Sequence, residues 1–257
     1  MARRAIAGGS VGSRAVAATQ IGGAHSSSFR GYRHGVAYEL DFQGLGEYAD
    51  VLAHGLWLTT QLTVVAAACG LAVAVLGAWA RTGPRGWLRS LVGGYVELVR
   101  NTPFLVQLFV VFFGLPSAGV RLSEVQAAMV AMVVNLGAYG IEIVRAGLEA
   151  VPRGHVDAGL SLGMTRVQVF RRVMLRPALQ NMWPALSSQI VIVMLGSAAC
   201  SQIAAEELTF AAGFIQSRTF RPFETYLAVT CLYLLLSILL RQLLRMVGLR
   251  LLGGRVA

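Results

Sequence analysis

Five stretches of this chain, at about 56–79, 91–116, 123–148, 180–204 and 224–247, are each apolar over some 20 residues, the length a helix needs to cross a bilayer core of roughly 30 Å. A soluble core helix or strand has no need of runs this long. The rest of the composition agrees, with 56% apolar and 13% charged residues in 257 and a mean hydropathy of +0.63. The sequence therefore predicts an all-α integral membrane protein with about five transmembrane helices.

Every one of the 22 basic residues is arginine. A P-loop needs a lysine among its glycines to hold nucleotide phosphates, so the chain cannot carry that ATP site. The net charge of +10 would suggest nucleic acid in a soluble protein. Here the arginines flank membrane spans, where anionic lipid headgroups and topology account for them, and no nucleic-acid partner is expected. Short cytoplasmic loops collect positive charge. Arg81, Arg85 and Arg89 follow the first span, six arginines lie between the third and fourth, and Arg241, Arg245, Arg250 and Arg255 accompany the end of the fifth. These regions are expected on the cytoplasmic side, which puts the N terminus outside and the C terminus inside.

Residues 1–37 are rich in Arg, Gly and Ser, with no acidic residue and no convincing signal peptide; they read as a disordered tail or as the product of an upstream start. Residues 38–54 turn amphipathic and aromatic, which fits a segment lying along the outer interface and fits equally a plain lead-in to the first helix. The transmembrane domain is expected over 55–248 and a cytoplasmic tail over 249–257. Cys69, Cys200 and Cys231 read as small buried packing residues, the four histidines are scattered, and no metal site is indicated.

The polar connection at about 151–177 is the chain's most distinctive segment. Pro152 ends the third helix, and residues from about His155 to Leu162 form a short helix with Asp157 in its first turn. Gly163 supplies a left-handed stop. Thr165 and Gln168 then have capping-box spacing, with Met164 and Val169 placed as a hydrophobic staple. The second helix would turn Val167, Phe170, Val173 and Met174 to one face, away from Arg166, Arg171 and Arg172. Pattern alone leaves two readings open: a connector resting on headgroups, or a docking element for a soluble partner.

Polar residues at membrane depth face a protein interior or a water path. Asn135 falls near the midplane of the third span, with Tyr139 four residues on along the same face. Thr59, Thr60 and Gln61 in the first span and Ser187, Gln189 and Ser197 in the fourth offer similar groups, each more often a helix-packing contact than a ligand contact. Glu142 and Arg145 have the spacing of an ion pair near the inner boundary, and Glu97 and Arg100 repeat it. Pro103 cannot donate to the carbonyl of Val99, which predicts a bend or break in the second span.

The run DAGLSLG, followed by Val173 and Leu175, resembles the EAA loop of binding-protein-dependent ABC importer permeases. Asp157 stands for the acid, Ala158 and Gly159 for the small pair and Gly163 for the glycine. Asp replaces the usual Glu, and the proline comes one place late, with Arg176 where it is expected and Pro177 next. The resemblance covers about residues 50–247. GLWLTTQLTV, YVELVRNTPFLVQLFVVFFGLP, GAYGIEIVRAGLEAVPRG and RTFRPFETYLAV look like the polar amino-acid subfamily, whose members carry histidine, glutamate, glutamine, arginine or opines. Where that subfamily often has a Lys-Asp pair in the fourth span, this chain reads MLGSAAC.

The resemblance implies a type I ABC importer permease fold in a bacterial inner membrane. Partners would be a second permease subunit, identical or not, a cytoplasmic ATPase dimer holding ATP and Mg, and an external amino-acid-binding protein. No cofactor would sit on this chain and no catalysis would be its own. Arg153, Asp157, Ala158, Gly159, Gly163, Met164 and Arg166 become the expected ATPase-coupling residues. Thr59, Thr60, Gln61, Asn135, Tyr139, Gln189 and Ser197 become candidates for the path of a polar amino acid. An ion-gradient-driven carrier or channel is the alternative; few deep charges, no recognisable inverted repeat and an odd span count speak against it. A membrane enzyme would need a catalytic constellation that the sequence lacks.

Overall fold

The computed structural model describes residues 40–82 and 85–253. The tail expected over 1–37 lies outside them. After a 3-10 turn over Gln43–Tyr48, the helices are α1 (Ala49–Thr82), α2 (Gly86–Arg100), α3 (Phe104–Ser117), α4 (Glu124–Glu149), α5 (Arg153–Ser161), α6 (Arg166–Ile203), α7 (Leu208–Thr219) and α8 (Pro222–Leu252). Among the described residues, α1, α4, α6 and α8 are long and apolar enough to cross a membrane; α2 and α3, bent by 111°, make a fifth span if counted together.

The expected window 91–116 is thus no single helix. Pro103 takes the N-cap position of α3, and the break opens the backbone around Val99 and Thr102. The Gln107 side chain closes that gap, its Nε2 donating to both freed carbonyls at 2.7 and 2.8 Å. A π-helical turn comes next, at Val110–Gly114. Two other boundaries move. The first helix begins at Ala49, inside the expected lead-in, and the expected tail from 249 stays helical to Leu252.

Packing between α1 and α4 shows how helices associate where lipid supplies no hydrophobic drive: small residues let the backbones approach until van der Waals contact holds them. The two run parallel. A Cβ added at Gly140 would lie 2.6 Å from that of Ala74, one at Gly137 2.7 Å from Val73, and one at Gly77 2.3 Å from Ile141. At the end of this seam Arg81 of α1 donates to Glu142 at 2.8 Å, and Arg145 pairs with Glu142 and Glu149. The expected local pair is therefore a cross-helix network. Antiparallel to α4, α6 brings Met182 against Gly147. The main core gathers Leu62, Leu108, Met132, Leu136 and Cys200. Of the cysteines only Cys200 is buried, because Cys69 and Cys231 occupy outward helix faces.

At the opposite end of the bundle α7 folds back beside α1 and α8. Its N-cap is Glu207, whose Oε1 accepts from the backbone N–H groups of Thr209 and Phe210 at 2.8 and 2.9 Å. Tyr233 of α8 donates to the other carboxylate oxygen, and the Thr209 hydroxyl lies 2.9 Å from that phenol. Thr59 of α1 accepts from Leu208 N at 3.2 Å. Nearby, Arg221 sits 3.1 Å from Asp41 and 3.7 Å from the buried Glu224.

Candidate functional site

The α4–α6 connection is built by local rules. Pro152 stands at the N-cap of α5, where its missing N–H costs nothing, and the helix starts at Arg153 rather than His155. Asp157 is consequently mid-helix, outside the first turn that would favour its charge. Gly163 N donates to Leu160 O at 2.9 Å and Met164 N to Gly159 O at 3.2 Å, the double bond of a Schellman stop, with Gly163 at φ +73°. The predicted capping box at Thr165 and Gln168 forms in both directions, at 3.3 and 2.8 Å.

Beyond the box there is no second free-standing helix. A π turn over Phe170–Met174 runs into the α-helix that starts at Leu175, so the arm past the elbow is the base of α6. Pro177 falls in the first turn of that α-helical stretch, where the preceding π turn has already changed the hydrogen-bond register. The two arms meet through Gly159, which is buried; a Cβ there would stand 3.0 Å from Val169, itself 2% exposed. Hence the packed face is Val169 with Val173, and Val167 and Phe170 of the expected apolar face are exposed.

Exposure separates the residues expected to couple to an ATPase. Arg153, Asp157, Ala158, Gly163 and Arg166 are exposed, Met164 is half-buried, and Gly159 is a structural contact between the arms. Leu160, Leu162, Val167 and Phe170 stand open beside them, Leu162 with 82% of its surface accessible. A rigid elbow presenting apolar side chains rimmed by arginines suits a partner protein's groove better than water.

The membrane-depth candidates do not form one constellation. Thr59, Thr60 and Ser197 give their hydroxyl protons to the carbonyls of Gly55, Leu56 and Met194. Gln61 is exposed on α1, and Gln189 is buried. Asn135, also buried, donates from Nδ2 to Gln107 Oε1 at 3.0 Å, so α4 holds the residue that closes the α2–α3 break. Tyr139, one turn on, lies under the Arg100 guanidinium at 5.5 Å.

Two residues that organise the structure have little voice in the sequence. Gln107 has a usable signal, an amide four residues after a helix-breaking proline within an apolar run. Glu207 has less, because it looks like one of several charges in an outer loop. Burial pushes its carboxyl above the ordinary carboxylate range, against the lowering by Tyr233, Thr209 and Phe210.

A family model described as "Binding-protein-dependent transport system inner membrane component" matches residues 70–253. The glutamine transport system permease protein GlnP of Escherichia coli (strain K12) is 32% identical over 210 residues, covering 80% of this chain and 95% of the relative. The octopine transport system permease protein OccM of Rhizobium meliloti is 31% identical over 212 residues, covering 79% and 86%. A solved structure described as "Crystal structure of an amino acid ABC transporter with histidines" matches at a TM-score of 0.77 and 32% identity, over 82% of this chain and 99% of that one. The chain belongs to the binding-protein-dependent transport system inner membrane component family and is a multi-pass permease subunit of an ABC importer.

Proposed function

We propose that this permease imports a polar amino acid, forms half of a translocation path with a second permease subunit, identical or not, and is driven through the 151–177 elbow by a separate ATPase dimer that carries ATP and Mg. The observation that carries the reading is the elbow: an exposed apolar and arginine-rich surface on two mutually packed, individually capped arms. Such an element moves as a unit, whereas a disordered loop would absorb the displacement. The names of the relatives support an amino-acid substrate. Under this reading the elbow and the C terminus face the cytoplasm, and an external binding protein delivers substrate to the end that carries α7.

Asn135, Tyr139 and Gln189 are the proposed path residues. Thr59, Thr60 and Ser197 have their hydroxyls engaged within the chain, and Gln61 looks outward. The test is reconstitution with the ATPase and binding protein encoded beside it, after a thermal-shift screen of that binding protein against amino acids. Gly163→Arg is expected to insert normally and to abolish uptake, since a side chain at positive φ spoils the elbow. Normal uptake at a normal protein level would refute the elbow's role. For Asn135→Ala the expectation is altered transport or substrate-stimulated ATPase activity in an intact assembly; unchanged kinetics would leave Asn135 as the support of Gln107 only.

A further inference from the structure

Arg176, the residue that stands where the resembled loop pattern has its proline, has a partner in the structure. Together with Gln180 and Trp183 it lies along one face of α6, at helical intervals of four and three. Leu244, Gly248 and Leu252 repeat every four residues along α8. The two faces meet antiparallel. Arg176 Nη2 and Gln180 Nε2 lie 3.4 and 3.3 Å from the Leu252 carbonyl oxygen, and Trp183 Nε1 donates to Leu244 O at 3.2 Å. The approach is close enough that a Cβ at Gly248 would fall 2.2 Å from Trp183 Nε1, and one at Gly253 2.6 Å from Arg176 Nη2.

Chemistry favours this placement. The Leu252 carbonyl belongs to the last turn of α8, which ends at Gly253 with φ +69°, so it has no partner in its own helix. A guanidinium there also faces the negative end of the helix dipole. Meanwhile α8 is the least buried of the four long helices, with 11% of its most apolar window inside the protein. Contacts at its end therefore matter more than they would on a helix packed along its whole length.

We propose that Arg176, Gln180 and Trp183 clamp the end of α8 to the base of α6, so that the elbow and this half of α8 move as one body in the transport cycle. Arg176 acts as a positioning residue, and its role rests on the importer reading given above. The test uses a Gln180→Cys/Leu252→Cys pair in a chain with Cys69, Cys200 and Cys231 replaced, assembled with its ATPase and binding protein. The pair is expected to crosslink both without nucleotide and with a non-hydrolysable ATP analogue, and the crosslinked transporter to import at the rate of its reduced form. Absence of the crosslink, its loss in one nucleotide state, or a halt in uptake on crosslinking overturns the clamp. Arg176→Leu is expected to lower uptake per ATP hydrolysed about tenfold, with Arg176→Lys recovering most of it because a cation again reaches the carbonyl. Equal coupling in Arg176→Leu, or no recovery in Arg176→Lys, counts against it. If the unmodified transporter imports no amino acid the functional reading fails, while the crosslink in the two nucleotide states still decides the clamp.

Discussion

At each end of the bundle a short helix stops beside a very exposed apolar residue, Leu162 at 82% and Phe220 at 85% exposure, and the two ends are ordered in opposite ways. At the elbow the contacts that shape the bend are local: the Schellman bonds around Gly163, the Thr165–Gln168 box and Gly159 against Val169, while the long reach from Arg176 to Leu252 leaves from its base. Around α7 the local cap at Glu207 is itself held by long-range contacts, from Glu207 to Tyr233 on α8 and from Leu208 to Thr59 on α1. Even the stops differ, since α5 ends through a glycine and α7 ends with Phe220 itself at φ +54°. An element that carries its own order keeps its shape while the helices it is joined to move; one whose order is lent by neighbouring helices keeps it only while those neighbours hold their places.

The largest expected effect lies at the α7 junction. Glu207→Ala leaves two part-buried amide N–H groups without their acceptor, each costing about 1–3 kcal/mol, and leaves the Tyr233 hydroxyl with the Thr209 hydroxyl as its remaining partner. Purified protein should then unfold at a clearly lower temperature, and an unchanged melting curve would show that the junction does not hold α7. Next comes Gly159→Leu, which drives a side chain into Val169 at a cost of about 1–3 kcal/mol. Because that cost falls on a self-contained element, uptake should drop while the melting temperature of the bundle holds; the reverse pattern would erase the distinction between the two ends.

Smaller changes sharpen the contrast. Thr165→Ala should cost about 1 kcal/mol of local order, visible as faster amide exchange over 166–174 with no change around α7. Phe220→Gly should raise stability by about 1 kcal/mol, since glycine takes the left-handed conformation without strain and the ring has little contact to lose. Glu207 also gives a pH dependence. Its folded pKa is raised, so the native state holds the proton more tightly than the unfolded chain. Its contribution is complete below the unfolded carboxylate value and is lost as pH rises through the folded one. Glu207→Gln should flatten that slope in melting temperature against pH.

Legibility in the sequence divides along the same line. The stop at Gly163, the box at Thr165 and Gln168 and the break at Pro103 were legible because caps and prolines act on neighbours within four residues. The apolar runs marked the long helices for a similar reason. Hidden features needed a partner from elsewhere in the chain: Gln107 bracing the break under Asn135, Arg81 joining Glu142, and Glu207 buried under Tyr233. The continuity of the elbow's second arm with α6 was hidden too, because the π turn at Phe170–Met174 has no short sequence signature. Gly159 had a visible role only in part: smallness was evident, but not that it serves the contact between the arms.

Crosslinking to the ATPase tests the central claim most directly. A photoreactive residue placed at Leu162 or, in a separate chain, at Phe220 is equally exposed and leaves the fixing contacts of both ends untouched. In the assembled transporter the Leu162 position should capture the ATPase and the Phe220 position should not. Capture from Phe220, or from neither site, would contradict the elbow as the surface through which ATP hydrolysis reaches this chain.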